Sequence, residues 1–249
     1  MSVVIPSYDE MANLKKGVLD KVEHFLNKKK FSYEVIIVDD GSTDGSVEFV
    51  EKFTKENKKF KLIINSHLGK AGAVTTGVLA AKGDYILFAD MDQATPIEDL
   101  DKLLPYFHPP AGGFDVVIGS RNAARKGAPL SRAIISRAAI ILRKIIVGMP
   151  EISDTQCGFK AFTKASAKKI FIKTSSLHHG FHEITGSAVT SGFDVELLYI
   201  AKKMGYRIKE VPVSWLYVET RRVNPVKDSV DGLIDLFKIK INSFKGLYE

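Results

Sequence analysis

GDYILFADMDQATP, Gly83–Pro96, sets the fold class for the rest of the chain. The apolar run Tyr85–Ala89 is short and flanked by Gly83 and Pro96, so it reads as a buried strand. It ends in two carboxylates, Asp90 and Asp92, on either side of Met91. In open α/β sheets, ligands bind beyond the carboxyl ends of the strands. Two carboxylates there are hard oxygen donors of the kind Mg²⁺ or Mn²⁺ takes, usually one or two of them together with substrate phosphates. An acidic turn without a ligand is the plainer reading of the same residues, because Asp favours turns.

Working outward, SVVIP at Ser2–Pro6 reads as a strand ended by proline, and Leu14, Val18, Val22, Phe25 and Leu26 predict one helix after it. Tyr33–Val38 is a second buried strand running into Asp39-Asp40-Gly41-Ser42-Thr43-Asp44-Gly45. The Ser, Thr and Asp there are N-cap types, with Val47, Val50 and Phe53 following at helical spacing. Phe60–Ile64 is a third strand, and the small-residue helix Gly69–Ala81 must pack close to something. A helix over Ile97–Phe107 opened by Pro96 and a strand over Phe114–Gly119 complete the alternation. This pattern predicts an α/β fold with a mostly parallel central sheet flanked by helices on both faces.

The 249 residues suit one large domain or a domain with an appendage, and 45% hydrophobic residues supply a core. The net charge of +7 favours polyanions: nucleic acid, anionic lipid or phosphorylated small molecules. Cys157 is the single cysteine, which excludes an internal disulfide and suggests a reducing compartment. It reads as a buried small hydrophobe. Met1 runs straight into a core strand, so we expect no signal peptide, and no apolar run reaches the ~18 residues of a membrane span. Leu130–Val147 and Val226–Phe244 are basic amphipathic segments. Each fits either a helix packed on the core or one lying on a membrane surface. We place a domain boundary near Trp215, giving a catalytic domain over 1–215 and a helical, membrane-facing extension over 216–249.

Nucleotide-binding loops of the commonest kinds are missing. No G-x-G-x-x-G follows the first strand, and Gly69-Lys70 lacks the rest of a P-loop. Nucleotide binding would therefore rest on carboxylates at strand ends, Asp39-Asp40 and Asp90/Asp92. His178, His179 and His182 lack metal-site spacing and read as solvated loop histidines. Asp194 and Glu196 read as first-turn acids of a helix, and Lys28–Lys30 as the basic end of another. No nucleic-acid-binding motif is present in the sequence, so nucleic acid is not an expected partner.

VVIPSYDE, EVIIVDDGSTDGS, GKAGAVTTG, GDYILFADMDQATP and DVVIGSR occur here in the order found in family 2 glycosyltransferases, which the chain resembles. DTQCGFKAF at Asp154–Phe162, GFDVELL at Gly192–Leu198 and EVPVSW at Glu210–Trp215 are similar to the dolichyl/polyprenyl-phosphate β-glucosyltransferase branch. The resemblance implies a GT-A fold (nucleotide-diphospho-sugar transferase), a UDP-glucose donor, a polyprenyl phosphate acceptor and a divalent cation, Mg²⁺ or Mn²⁺. It implies a peripheral enzyme at the cytoplasmic face of a membrane or in the cytoplasm, and is compatible with a homo-oligomer. By that resemblance Pro6, Tyr8 and Glu10 line the nucleotide pocket, with Val38 and Asp40 on the base, and Met91 on the donor side. Lys70 sits by the nucleotide or its phosphates. Asp90 and Asp92 contact ribose and metal. Arg121 and Arg137 meet the donor diphosphate or the acceptor phosphate, and Asp154 stands near the reacting centre. The implied reaction is one in-line displacement with inversion. A phosphate monoester is mostly dianionic at neutral pH, so it needs positioning more than deprotonation. Asp154 is then a positioning or metal-facing carboxylate ahead of a base, or simply a turn residue. Two stretches depart from the branch: Leu177–Ser191 is longer than expected, and Glu219–Arg222 replaces a usual Gly-Ser-Lys. GDP-mannose as donor, a glycan hydroxyl as acceptor, and a non-catalytic basic binding module are the competing readings.

Overall fold

The structure, a computed structural model, describes residues 1–121, 142–184, 192–216 and 225–249, with side chains from 232 onward in the last segment. Its strands are β1 (Ser2–Ser7), β2 (Glu34–Asp39), β3 (Phe60–Ile64), β4 (Tyr85–Ala89), β5 (Val116–Ser120), β6 (Phe159–Thr163) and β7 (Ile208–Pro212). They form one sheet in the order β3-β2-β1-β4-β6-β5-β7. The helices are α1 (Met11–Leu14), α2 (Val18–Asn27), α3 (Ser46–Glu56), α4 (Gly69–Ala80), α5 (Leu100–Leu103), α6 (142–147 in its described part), α7 (Lys164–Leu177), α8 (Phe193–Lys203) and α9 (Pro225–Phe244).

Alternation along the strands sends Val4, Ile36, Val38, Ile86 and Phe88 into one core and Val3, Ile5, Val35, Ile37 and Leu87 into the other. Both faces of the sheet are therefore covered, which is why these strands read as unbroken apolar runs. The first core also contains residues of α4, α7, α8 and α9; the second contains residues of α2 and α5. The small residues of α4 have a specific cause. A Cβ on Gly77 would lie 2.3 Å from Val4 Cγ1 and 2.9 Å from Val38 Cγ2, so the helix can approach β1 and β2 only because Gly77 has no side chain.

All neighbouring strands are parallel except those flanking β6, which runs antiparallel to β4 and β5. Ala89 at the end of β4 faces Phe159 at the start of β6. The N-terminal end of β6 thus shares a rim with the carboxyl ends of β1, β2, β4 and β5. The expected first helix is two: Gly17, at φ 72°, interrupts it between α1 and α2. The Ile97–Phe107 segment is a 3₁₀ turn, the short α5 and a second 3₁₀ turn rather than one helix, with Pro105 at the start of the last turn. α2 ends at Asn27, and Lys29 beyond it pairs with Asp101 at 2.6 Å. α9 buries Leu236 and Ile239 in the core, followed by Tyr248. Most of the Leu130–Val147 stretch, and Glu219–Arg222, lie outside the described residues. Among the described residues no helix is long and apolar enough to cross a membrane.

Candidate active site

The rim where β6 meets the ends of the parallel strands gathers the polar side chains. At β1 and β2 the acidic loop folds back on itself. Asp39 accepts from the Gly41 and Ser42 backbone N–H groups, Asp44 from the Met11 N–H at 2.9 Å, and Asp9 from the Thr43 N–H at 2.8 Å. These bonds clamp the segment after β1 to the segment after β2. Glu10 caps the start of α1, and its carboxylate accepts from Asn13 Nδ2 at 2.6 Å. Asp40 is buried, and its two oxygens accept from the backbone N–H groups of Leu68 and Gly69 at 2.8 and 2.7 Å. Burial pushes its carboxyl up from the ordinary Asp value, against those two bonds. Asp40 thereby anchors the N-terminal end of α4, where such donors are otherwise unsatisfied. Tyr8 stacks on His67 with ring centres 4.4 Å apart, and His67 Nδ1 lies 2.7 Å from the Asp40 carbonyl oxygen. His67 joins this cluster through those contacts, and no sequence motif announced it. Pro6 is level with Val38 in the β1–β2 register, and the Val38 side chain lies in the core.

At the end of β4, Asp90 Oδ1 pairs with Lys70 Nζ at 2.7 Å, and Asp92 accepts from the Ala94 N–H at 2.9 Å. Met91 between them is buried. Burial, followed by the neighbouring charge of Asp90, pushes the Asp92 carboxyl up, with the Ala94 bond opposing. Burial disfavours the Lys70 ammonium, but Asp90, Asp194 and Asp92 outweigh it and hold its pKa above the ordinary lysine range. Gly158, just before β6, lies directly beneath Asp90: a Cβ there would be 1.9 Å from Asp90 Oδ2. The glycine of the Asp154–Phe162 motif is thus the floor on which the first carboxylate rests.

These residues fit a divalent cation. Two carboxylates two positions apart at a strand end, Asp92 raised by burial first and by the charge of Asp90 after it, would be stabilised by a cation beside them. The Gln93 side-chain oxygen beside them is buried with no hydrogen-bond partner among the described residues. Among the described residues no group of three or more His, Cys, Asp and Glu side chains is arranged to hold a metal alone. That matches Mg²⁺- and Mn²⁺-type sites, in which waters and substrate phosphates complete the shell.

Two further ion pairs frame the rim. Arg121 follows β5 and binds Asp154 through Nε at 2.8 Å and Nη2 at 2.9 Å, while its backbone N–H donates to the same carboxylate at 2.9 Å. Burial disfavours the guanidinium, and the Asp154 bonds more than offset it, so its pKa is raised. Glu210 on β7 accepts from the Ser153 and Asp154 N–H groups, and Arg143 donates to Thr155 Oγ1 and the Ser153 carbonyl. Arg121 and Asp154, read separately in the sequence, are partners here. The second pair was not anticipated: Lys160 on β6 is fully buried and donates to Asp194 at the start of α8 and to the Cys157 carbonyl. Asp194 does lie in the first turn of its helix, but its partner is a lysine 34 positions away. His178 is a correction: it is not merely solvated, since its Nε2 lies 2.6 Å from Glu196 Oε2. Arg137 lies outside the described residues.

The pattern described as Glycosyl transferase family 2 matches residues 2–171 of this chain. The chain belongs to glycosyltransferase family 2. It is 31% identical to the dolichyl-phosphate beta-glucosyltransferase of Dictyostelium discoideum and 34% identical to that of Saccharomyces cerevisiae. Each alignment spans 100% of this chain and 76% of the relative. Among solved structures, it is similar to glucosyl-3-phosphoglycerate synthase from Mycobacterium tuberculosis in complex with Mn²⁺, UDP-glucose and phosphoglyceric acid. The TM-score is 0.65 at 16% identity, over 96% of this chain and 79% of that one. Mannosyltransferase PcManGT from Pyrobaculum calidifontis, in complex with GDP-Man and Mn²⁺, gives a TM-score of 0.60 at 19% identity, over 97% of this chain. The chain spans 64% of that mannosyltransferase. These likenesses establish the GT-A fold, and the protein is a glycosyltransferase.

Proposed function

We propose that this glycosyltransferase moves glucose from UDP-glucose to a dolichyl-type polyprenyl phosphate at the cytoplasmic face of a membrane, with inversion at the sugar carbon. The observation that carries the reading is the Asp90/Asp92 pair beside Lys70 at the rim, in a chain whose full-length relatives are named for that activity. Asp90 and Asp92 would hold Mg²⁺ or Mn²⁺, which when bound supplies positive charge to the departing diphosphate. Lys70 adds a fixed ammonium at the same place. Tyr8, stacked on His67, gives the nucleotide an aromatic surface, and Pro6, Glu10, Val38 and Asp40 shape the loops around it. The acceptor phosphate carries its own nucleophilic oxygen, so orientation beside positive charge is the main requirement. Arg121 and Arg137 provide that charge. Asp154 acts as the positioning residue for Arg121, since both its oxygens already accept from that guanidinium.

Segment 216–249 works as the membrane-facing extension. α9 turns Leu236 and Ile239 inward and leaves Ile234, Phe237, Ile241 and Phe244 exposed in one stripe beside Lys238, Lys240 and Lys245. A basic, apolar face of this kind suits an anionic lipid surface. The test is a panel of UDP-glucose and GDP-mannose against a short polyprenyl phosphate and a sugar hydroxyl, with and without chelator. UDP release with the prenyl phosphate, lost on chelation and in Asp92→Ala with an unchanged melting temperature, is expected. Full activity of Asp92→Ala would refute the metal role, and activity only with a sugar hydroxyl would refute the acceptor.

A further inference from the structure

A cavity of about 340 Å³ lies behind the rim, between the start of α4, the segment after α7, the start of α8 and α9. Its volume is at the lower end of the range of small-molecule sites, roughly 300–1,000 Å³. Leu68, Ala71, Phe181, Ile184, Phe193 and Ile239 supply the apolar lining. Glu196, the buried acid in its wall, is taken by His178 and by the Tyr248 hydroxyl at 2.6 Å each, and Asp235 pairs with Lys238 at 3.2 Å.

Three features tie this cavity to the reaction centre. Gly69 and Ala71 of its wall flank Lys70, whose ammonium pairs with Asp90; Phe193 precedes Asp194, which takes Lys160. In addition, the Ile184 N–H donates to the His67 carbonyl at 2.9 Å, fastening the cavity wall to the loop that stacks on Tyr8. α9 lines the cavity with Asp235, Lys238, Ile239 and Asn242 and exposes its apolar stripe on the adjacent face.

We propose that this cavity seats the phosphate-proximal isoprenyl units of the acceptor, with the phosphate at the rim, toward the reaction centre, and the rest of the chain leaving along α9. The inference rests on the acceptor assignment above. Shape and chemistry agree: apolar side chains line the space for the tail, and one wall, the start of α4, also carries the rim residue Lys70. The wall is built by part of Leu177–Ser191, the stretch that departs from the branch pattern, so acceptor choice is read there.

The test uses the full chain with farnesyl phosphate, farnesol, dimethylallyl phosphate and inorganic phosphate, following both thermal shift and glucose transfer. Farnesyl phosphate and farnesol should raise the melting temperature and inorganic phosphate should not. Ile184→Trp, which fills the cavity, should raise KM for farnesyl phosphate about tenfold, the loss of roughly two buried methylenes. Dimethylallyl phosphate should be affected less, and kcat and the shift caused by UDP should stay near wild type. Phe181→Ala, a milder change, should weaken farnesyl phosphate in the same direction. Transfer to farnesyl phosphate with wild-type KM in both variants overturns the cavity assignment while the function stands. Farnesyl phosphate that binds in a variant-sensitive way but is never glucosylated leaves the cavity assignment standing and overturns the function. Stabilisation by inorganic phosphate equal to that by farnesyl phosphate overturns the role of the apolar wall.

Discussion

Replacing Asp154 with alanine separates a structural carboxylate from a chemical one. Asp154 is 4% exposed and accepts three bonds from Arg121: one from the backbone N–H and two from the guanidinium. Its own N–H is held by Glu210 at 2.7 Å. Truncation leaves a largely buried guanidinium without its carboxylate, and removing one partner of a buried pair costs about 3–5 kcal/mol. Whole-domain stabilities are only about 5–15 kcal/mol. A chain of this size loses about 2–4 °C per kcal/mol, so the melting temperature should fall by about 6–20 °C. Urea unfolding gives the same quantity from the midpoint at constant m. Arg121→Met alone and combined with Asp154→Ala completes a cycle, and the double variant should recover part of the loss, with a coupling of about 0.5–3 kcal/mol. If Asp154→Ala costs under about 1 kcal/mol while abolishing transfer, Asp154 acts in the chemistry and the pairing argument is wrong.

Gly158→Ala should displace Asp90, since its Cβ would sit 1.9 Å from Oδ2; kcat should fall about a hundredfold at saturating Mn²⁺, which steady-state kinetics over a metal titration would reveal. His178 should make stability depend on pH. The Glu196 bond raises its pKa above the ordinary 6.5, against burial, so the folded protein keeps this proton to higher pH than the unfolded chain. That stabilisation is complete below the unfolded value and is lost as pH rises through the folded one; urea midpoints from about pH 6 to about pH 9 should decline, and Glu196→Gln should flatten the decline. Gly77→Ala should cost about 1–3 kcal/mol by forcing α4 away from Val4 and Val38, measured as a lower melting temperature with UDP affinity little changed.

What could be read from the sequence was local. Tyr85–Ala89 is a strand with the bounds its apolar run suggested, because burial on both faces leaves no polar position in the run; Phe60–Ile64, at the edge of the sheet, keeps its bounds although Lys61 and Ile64 are exposed. Asp90 and Asp92 announced themselves by standing at such an end. The pairings across the rim carried no comparable signal. Arg121 and Asp154 are 33 positions apart, and Lys160 and Asp194 are 34 apart, so neither falls within any helical or strand period. Lys160 in particular lies in the middle of an apolar strand, where only the fold supplies Asp194. The acidic loop Asp39–Gly45 looked like nucleotide-binding chemistry, and much of it holds backbone N–H groups. Gly17 broke an apolar period that otherwise ran on unchanged, because a left-handed backbone leaves the spacing of buried residues nearly intact on either side.

The reversed direction of β6 bears on how this catalyst can vary. A parallel crossover must carry the chain back to the opposite end of the strands before the next strand begins. β5 ends and β6 begins at the same end of the sheet, because the two are antiparallel. The length of the connection between them is therefore independent of strand alignment. Changes in length between Arg121 and Asp154 can retune what the enzyme accepts, while the two carboxylates and the floor beneath them stay in register.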